Sequence, residues 1–97
     1  MRVVSKKALR LCWEKHPEAK GPLECWHAEA KAASWQSPAE IKAQYGSASI
    51  LGDSRVCFNI GGNKYRLVVK INYGVGIVLI RFVGTHGEYD KIDAEVV

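Results

Sequence analysis

The stretch from Val56 to Asp93 reads V-C-F-N-I-G-G-N-K-Y-R-L-V-V-K-I-N-Y-G-V-G-I-V-L-I-R-F-V-G-T-H-G-E-Y-D-K-I-D, and its reading decides the fold. Three apolar runs rich in Val, Ile, Tyr and Phe alternate with two glycine turns, the composition of half-buried pleated strands. Gly61-Gly62 followed by Asn63 supplies the positive φ angles of a tight hairpin, and Gly74-Val75-Gly76 makes the second turn. The pattern predicts three antiparallel strands, about Arg55–Ile60, Lys64–Tyr73 and Ile77–Val83.

Side chains on a strand alternate between faces. In the middle run Tyr65, Leu67, Val69, Ile71 and Tyr73 therefore share one face, and Lys64, Arg66, Val68, Lys70 and Asn72 the other. A two-residue glycine turn would set Phe58 across from Tyr65, Val56 across from Leu67, and Asn59 beside Lys64. An even second loop adds Arg81 to Arg66 and Lys70 and sends Val78, Ile80 and Phe82 to the core. An odd loop would bury Arg81 beneath helices, where an unpaired charge is costly, so the even loop is expected. The sheet then has one apolar face and one basic face.

Outward from this stretch, the N-terminal half predicts helices. Met1–Val4 suits a short edge strand. Ser5 suits an N-cap for a helix to about His16, stopped by Pro17, with Leu9, Cys12 and Trp13 as its apolar stripe and Leu11 off it. A second helix runs from about Pro22 to Ala33 with Leu23, Trp26, Ala30 and Ala33 on one face. Ser37-Pro38-Ala39-Glu40 has the form of a capping box and opens a helix to about Tyr45, ended by Gly46. Ser47–Asp53 reads as a loop with Ala48, Ile50 and Leu51 against the core. After the strands, Thr85 suits the cap of a last helical turn through His86–Asp93, and a short tail follows. The fold class is α+β, one domain spanning 1–97.

Composition narrows the function classes. Of 97 residues, 47% are hydrophobic and 25% charged, ordinary for a globular protein. No apolar run reaches the roughly 20 residues of a membrane span, and M-R-V-V-S-K-K lacks a signal peptide's apolar core, so a cytoplasmic location without membrane contact is expected. The net charge of +4 permits an anionic partner. Three cysteines argue against a disulfide framework, and Cys12-x3-His16 with Cys25-x-His27 matches no common zinc spacing. Buried cysteines, and core positions for Trp13, Trp26 and Trp35, are the expectation. No metal or other cofactor is expected.

The chemistry-bearing residues gather on the polar sheet face. Arg66, Arg81 and Lys70 lie there with Asn59 and Lys64 beside them, and His86, Tyr89, Asp90 and Lys91 follow the last strand. Guanidinium forks suit phosphate oxygens, an imidazole can exchange a proton near neutral pH, and a phenol can donate or stack. That combination suits metal-free RNA cleavage with the ribose 2′-hydroxyl as nucleophile. It also suits a solvated basic face with His86 merely capping a turn.

The segments W-Q-S-P-A-E-I-K-A-Q-Y-G-S-A-S-I-L, F-N-I-G-G-N-K-Y-R-L-V-V-K-I-N-Y and I-R-F-V-G-T-H-G-E-Y-D-K-I-D closely resemble the HigB toxin family of type II toxin–antitoxin modules, and the likeness runs from about Met1 to Asp93. The resemblance implies a RelE/ParE-like fold, with N-terminal helices packed on one face of a small antiparallel sheet. It implies an mRNA interferase that cuts messages on the ribosome, arresting translation and growth. The implied partner is a cognate helix-turn-helix antitoxin, through which alone the toxin meets operator DNA. On this reading Arg66, Arg81, His86 and Tyr89 are catalytic, and Asn59, Asn63, Lys64, Lys70, Asp90 and Lys91 contact RNA. Two other activities remain open: a catalytically silent module acting through its antitoxin, and the gyrase poisoning of the ParE branch.

Overall fold

In the computed structural model, which describes residues 1–97, five strands lie in the spatial order β1-β5-β4-β3-β2. In chain order the elements are β1 (Arg2–Val4), α1 (Lys6–Lys15), a 3-10 turn (Pro17–Ala19), α2 (Lys20–Ala32), α3 (Pro38–Gln44), β2 (Ser49–Ile50), β3 (Arg55–Ile60), β4 (Tyr65–Asn72), β5 (Ile77–Thr85) and α4 (His86–Tyr89). Neighbours β2 to β5 pair antiparallel, while β1 runs parallel to β5, so the sheet is mixed. The α+β class expected from the sequence is the one observed, with this parallel edge strand added.

Helices α1 to α3 lie on the more apolar side of the sheet. Val56, Phe58, Leu67, Val69, Ile71 and Val78 point into the layer formed by Leu9, Leu23, Trp26 and Ile41. Phe58 is its centre: the rings of Trp26, Trp35 and Tyr45 lie 5.4, 6.1 and 5.1 Å from it, edge-on for Trp26 and Tyr45 and stacked for Trp35. Trp26 and Trp35 are buried and Trp13 packs partly against the same cluster, as anticipated. Ser5 caps α1, its hydroxyl accepting from the Lys7 N–H at 3.2 Å, and Leu11, off the stripe, is exposed.

Several local expectations need correction. The first hairpin turn has four residues, Gly61–Lys64, so Phe58 faces Leu67, Asn59 faces Arg66 and Ile60 faces Tyr65. Gly61, Gly62 and Asn63 all adopt left-handed φ angles, near 62°, 60° and 80°, a run that a two-residue turn has no room for. The slip is by two residues, and an even slip leaves every side chain on its expected face. The second turn, Tyr73–Gly76, is even as expected, but β5 bulges where it passes Val68 and Val69. The extra residue is Arg81, and it returns Phe82 to the helix-free face, opposite Val68, instead of to the core. Arg81 also bonds on that face.

The Ser37 capping box does not close. Ser37 makes no side-chain cap; its main-chain oxygen takes the Glu40 N–H at 3.2 Å. Ser49–Ile50 is a two-residue edge strand instead of loop, with Ile50 exposed, and Cys25 is exposed while Cys12 and Cys57 are buried. The last helix ends at Tyr89, earlier than Asp93. No helix is long and apolar enough to cross a membrane.

Candidate nucleic-acid site on the helix-free face

The face away from the helices carries Arg55, Cys57 and Asn59 from β3 and Arg66, Val68 and Lys70 from β4. Leu79, the bulged Arg81, Phe82 and Gly84 come from β5. It has two ends, with Arg66 at one and Arg55 and Arg81 at the other.

At one end α4 is fastened to the sheet by main-chain geometry. The His86 N–H donates to the Lys64 carbonyl at 3.0 Å, so the helix starts against the first hairpin turn. Thr85 Oγ1 accepts from the Glu88 N–H at 3.2 Å, and Glu88 Oε1 accepts from the Thr85 N–H at 2.9 Å, a closed capping box. Those bonds hold the Glu88 carboxyl below its ordinary value, the Thr85 main-chain N–H contributing most. Gly84 makes this fit possible. A Cβ there would come within 2.9 Å of both Glu88 Oε1 and Phe82 Cζ, closer than atoms pack.

This turn delivers the proton-exchanging groups. His86 Nδ1 lies 3.0 Å from Asp90 Oδ2. A carboxylate only accepts, so Nδ1 carries the shared proton and Nε2 faces outward as an acceptor in the neutral ring. Tyr89 lies over Phe82, ring centres 6.4 Å apart, and its hydroxyl neighbours the buried Cys57 thiol. Burial holds the Tyr89 phenol above its ordinary value, Cys57 adds to the effect, and the nearby Arg66 guanidinium opposes it. Tyr89 is thus a phenol that keeps its proton at neutral pH. Arg66 uses Nη1 to reach the main-chain oxygens of Asn63 at 3.0 Å and Tyr65 at 3.4 Å, which folds its guanidinium back over the turn.

The other end is arranged differently. Lys70 pairs with Asp53 at 3.0 Å, and this bond, followed by the ammonium charge, lowers the Asp53 carboxyl. Arg81 Nε donates to the main-chain oxygen of Val97 at 3.0 Å, and Arg55 Nη1 donates to that of Glu95. The tail therefore folds back across this end.

Of the residues singled out from the sequence, the structure brings Arg66, His86, Tyr89 and Asp90 together around α4. Asn63 and Lys64 form the turn beneath them and contribute main-chain oxygens. Asn59, opposite Arg66, is tied by its Nδ2 to the Ser47 carbonyl at 3.0 Å. Lys91 is exposed just beyond α4. Arg81 and Lys70 belong to the tail-covered end. Sequence reasoning passed over Cys57, Phe82 and Arg55 as site residues. The strand alternation that placed Asn59 on this face would also have placed Cys57 and Arg55 there, whereas Phe82 arrives only through the bulge. No three His, Cys, Asp or Glu side chains converge where they could hold a metal ion.

Comparison with known proteins agrees with this architecture. Residues 19–92 match the HigB toxin family, described as the RelE-like toxic component of a toxin-antitoxin system. The mRNA interferase toxin HigB of Escherichia coli (strain K12) is 32% identical over 96 residues, covering 97% of this chain and 92% of that protein. The mRNA interferase HigB of Shigella flexneri is equally similar, at 32% over 96 residues and with the same coverage. A further mRNA interferase HigB, from Escherichia coli O6:H1, is 22% identical over 94 residues, 95% of this chain and 91% of that protein. With the family match over three quarters of its length and near-complete alignment to these relatives, the chain belongs to the HigB toxin family of RelE-like toxins.

Proposed function

We propose that this protein is an mRNA interferase toxin that cleaves messages by attack of the ribose 2′-hydroxyl on the adjacent phosphate, with the α4 end of the helix-free face as its catalytic centre. The observation that carries the reading is the joint placement there of Arg66, Tyr89 and the His86–Asp90 pair. His86 is the general base: Asp90 fixes its tautomer, leaving Nε2 to take the 2′-hydroxyl proton. Tyr89, kept protonated by burial and Cys57, donates to the departing 5′-oxygen. Arg66 stabilises the extra negative charge of the pentacovalent phosphate. Each acid–base group is worth on the order of 10² to 10⁴ in rate, and an oriented donor about 10² to 10³.

Around this centre Asn59, Lys64 and Lys91 line the path of the RNA strand. Cleavage takes place in the cytoplasm on messages held by the ribosome, needs no metal, and is silenced by a cognate helix-turn-helix antitoxin that also mediates any contact with operator DNA. Primer extension on an induced message tests the reading. New 5′ ends within reading frames are expected, and they should vanish with His86→Ala and with Tyr89→Phe. Growth arrest without new 5′ ends, or cleavage undiminished in both variants, would overturn it.

A further inference from the structure

Arg55 is 5% exposed and is the one charged residue buried in the molecule. No ion pair includes it: the nearby Asp53 carboxylate is taken by Lys70. Its Nη1 meets only the neutral main-chain oxygen of Glu95, and its Nε is buried without any hydrogen-bond partner. A guanidinium withdrawn from water in this way is costly unless an anion joins it.

The cover over it is slight. Segment 93–97 is a small turn in which Asp93 Oδ1 accepts from the Glu95 N–H at 3.0 Å, and the Asp93 carbonyl accepts from Val96 and Val97 N–H, each at 3.1 Å. The turn presents two main-chain oxygens outward from its own bonds, one to Arg55 and one to Arg81 Nε. Val96 is 72% exposed, Ala94 and Val97 are only half-buried, and none of the three is part of the core. The turn thus occupies donors of two guanidinium forks that suit phosphate, and at Arg55 the acceptor is a neutral amide oxygen. Next to them the face continues past Lys70 into a groove of about 500 Å³ lined by Ser54, Asn72, Tyr73 and Leu79.

We propose that Arg55 and Arg81 form a phosphodiester-binding subsite for the RNA strand, separate from the cleavage centre, and that segment 93–97 is a strap that covers the subsite and yields to the RNA backbone. This rests on the ribonuclease reading above. RNA would supply the counter-ion that Arg55 lacks, and the strap keeps the subsite closed to weaker anions until a polyanion displaces it.

Binding of a short, uncleavable 2′-O-methyl RNA, followed by fluorescence anisotropy, tests the strap. The chain lacking residues 94–97 is compared with full-length Glu95→Gln, which loses the same carboxylate but keeps the strap. The shortened chain should bind roughly tenfold tighter, with a salt dependence steeper by about 1.4 in log K per log salt, the release expected for two added single-strand phosphates. Arg81→Ala in the shortened chain should take back much of the gain. Equal or weaker binding by the shortened chain overturns the strap and leaves the ribonuclease reading standing. Binding by none of the proteins overturns the subsite, while the ribonuclease reading stands or falls on primer extension. If the shortened chain does not fold, Asp93→Ala and Asp93→Asn replace it: both remove the charge, but only Asn keeps an oxygen for the Glu95 N–H. Tighter binding by Asp93→Ala is then expected, and equality of the two overturns the proposal.

Discussion

The two ends of the helix-free face hold arginines by opposite means. At the α4 end, Arg66 bends onto carbonyls one and three residues away, and α4 follows β5 directly through a closed capping box. At the far end, Arg55 and Arg81 are held by main-chain oxygens 40 and 16 residues along the chain. Local bonds of the first kind form with their own turn and persist while the sheet persists. Bonds of the second kind depend on a segment with few buried contacts, which opens at low free-energy cost. On the proposed reading the ends divide the work: fixed geometry serves the cleavage centre, and a displaceable contact serves the grip on the strand.

Substitution should separate the ends most sharply in the rate of cleavage. Arg66→Ala should lower kcat by about 10² to 10³, the range for a preorganised donor at developing charge. Arg81→Ala should cost less than about tenfold and act on KM, as loss of a ground-state phosphate contact does. Single-turnover kinetics on a model message would measure both, and equal losses in kcat would erase the distinction.

Gly84→Ala attacks only the α4 end. The new Cβ must displace the Phe82 ring and the Glu88 carboxylate, so a destabilisation of about 1–3 kcal/mol is expected, typical of overpacking. Chemical denaturation would read it, and a fall in kcat should accompany it. Retention of full activity would mean that Tyr89 does not need its present seat over Phe82.

Arg55→Met should behave in the opposite way. Replacing a buried, unpaired cation by an apolar chain of similar length is expected to be neutral or stabilising, by about 0–2 kcal/mol. A loss of several kcal/mol in the same denaturation experiment would show that Arg55 is a structural pillar and not a waiting anion site.

The smallest effect concerns acid. Glu88 has its pKa depressed in the folded state, so its cap contributes fully above the unfolded value of about 4.3 and is lost as pH falls through the lower, folded one. Amide protection at Glu88 and Tyr89, relative to the intrinsic exchange rate, should therefore fall below about pH 4, ahead of that of the β-strand amides. Protection that stays level there would remove the capping box as the fastening of α4.

Much of this was legible in the residues. Alternation in Tyr65–Asn72, broken only by Val68, gave the two faces, because period-two patterning survives any even error in register, and the first turn was indeed longer by two than the glycine pair suggested. Two segments carry the same Ser/Thr-x-x-Glu signal, yet only Thr85–Glu88 closes its box; at Ser37 a main-chain oxygen takes the proton first. A tetrapeptide pattern states what a cap can do, and the surrounding backbone decides whether it does.

By itself the sequence determined the apolar sheet face, the helices that cover it, the basic opposite face and the position of His86 and Tyr89 just beyond the last strand. These follow from side-chain periodicity and from turn and cap chemistry, which act over a few residues. Only the tertiary structure decided the parallel edge strand, the bulge that turns Phe82 under Tyr89, the tail laid across Arg55 and Arg81, and the meeting of Cys57 with Tyr89. Each joins residues far apart in sequence, and such contacts are set by how whole strands and segments settle against one another, which no local pattern encodes.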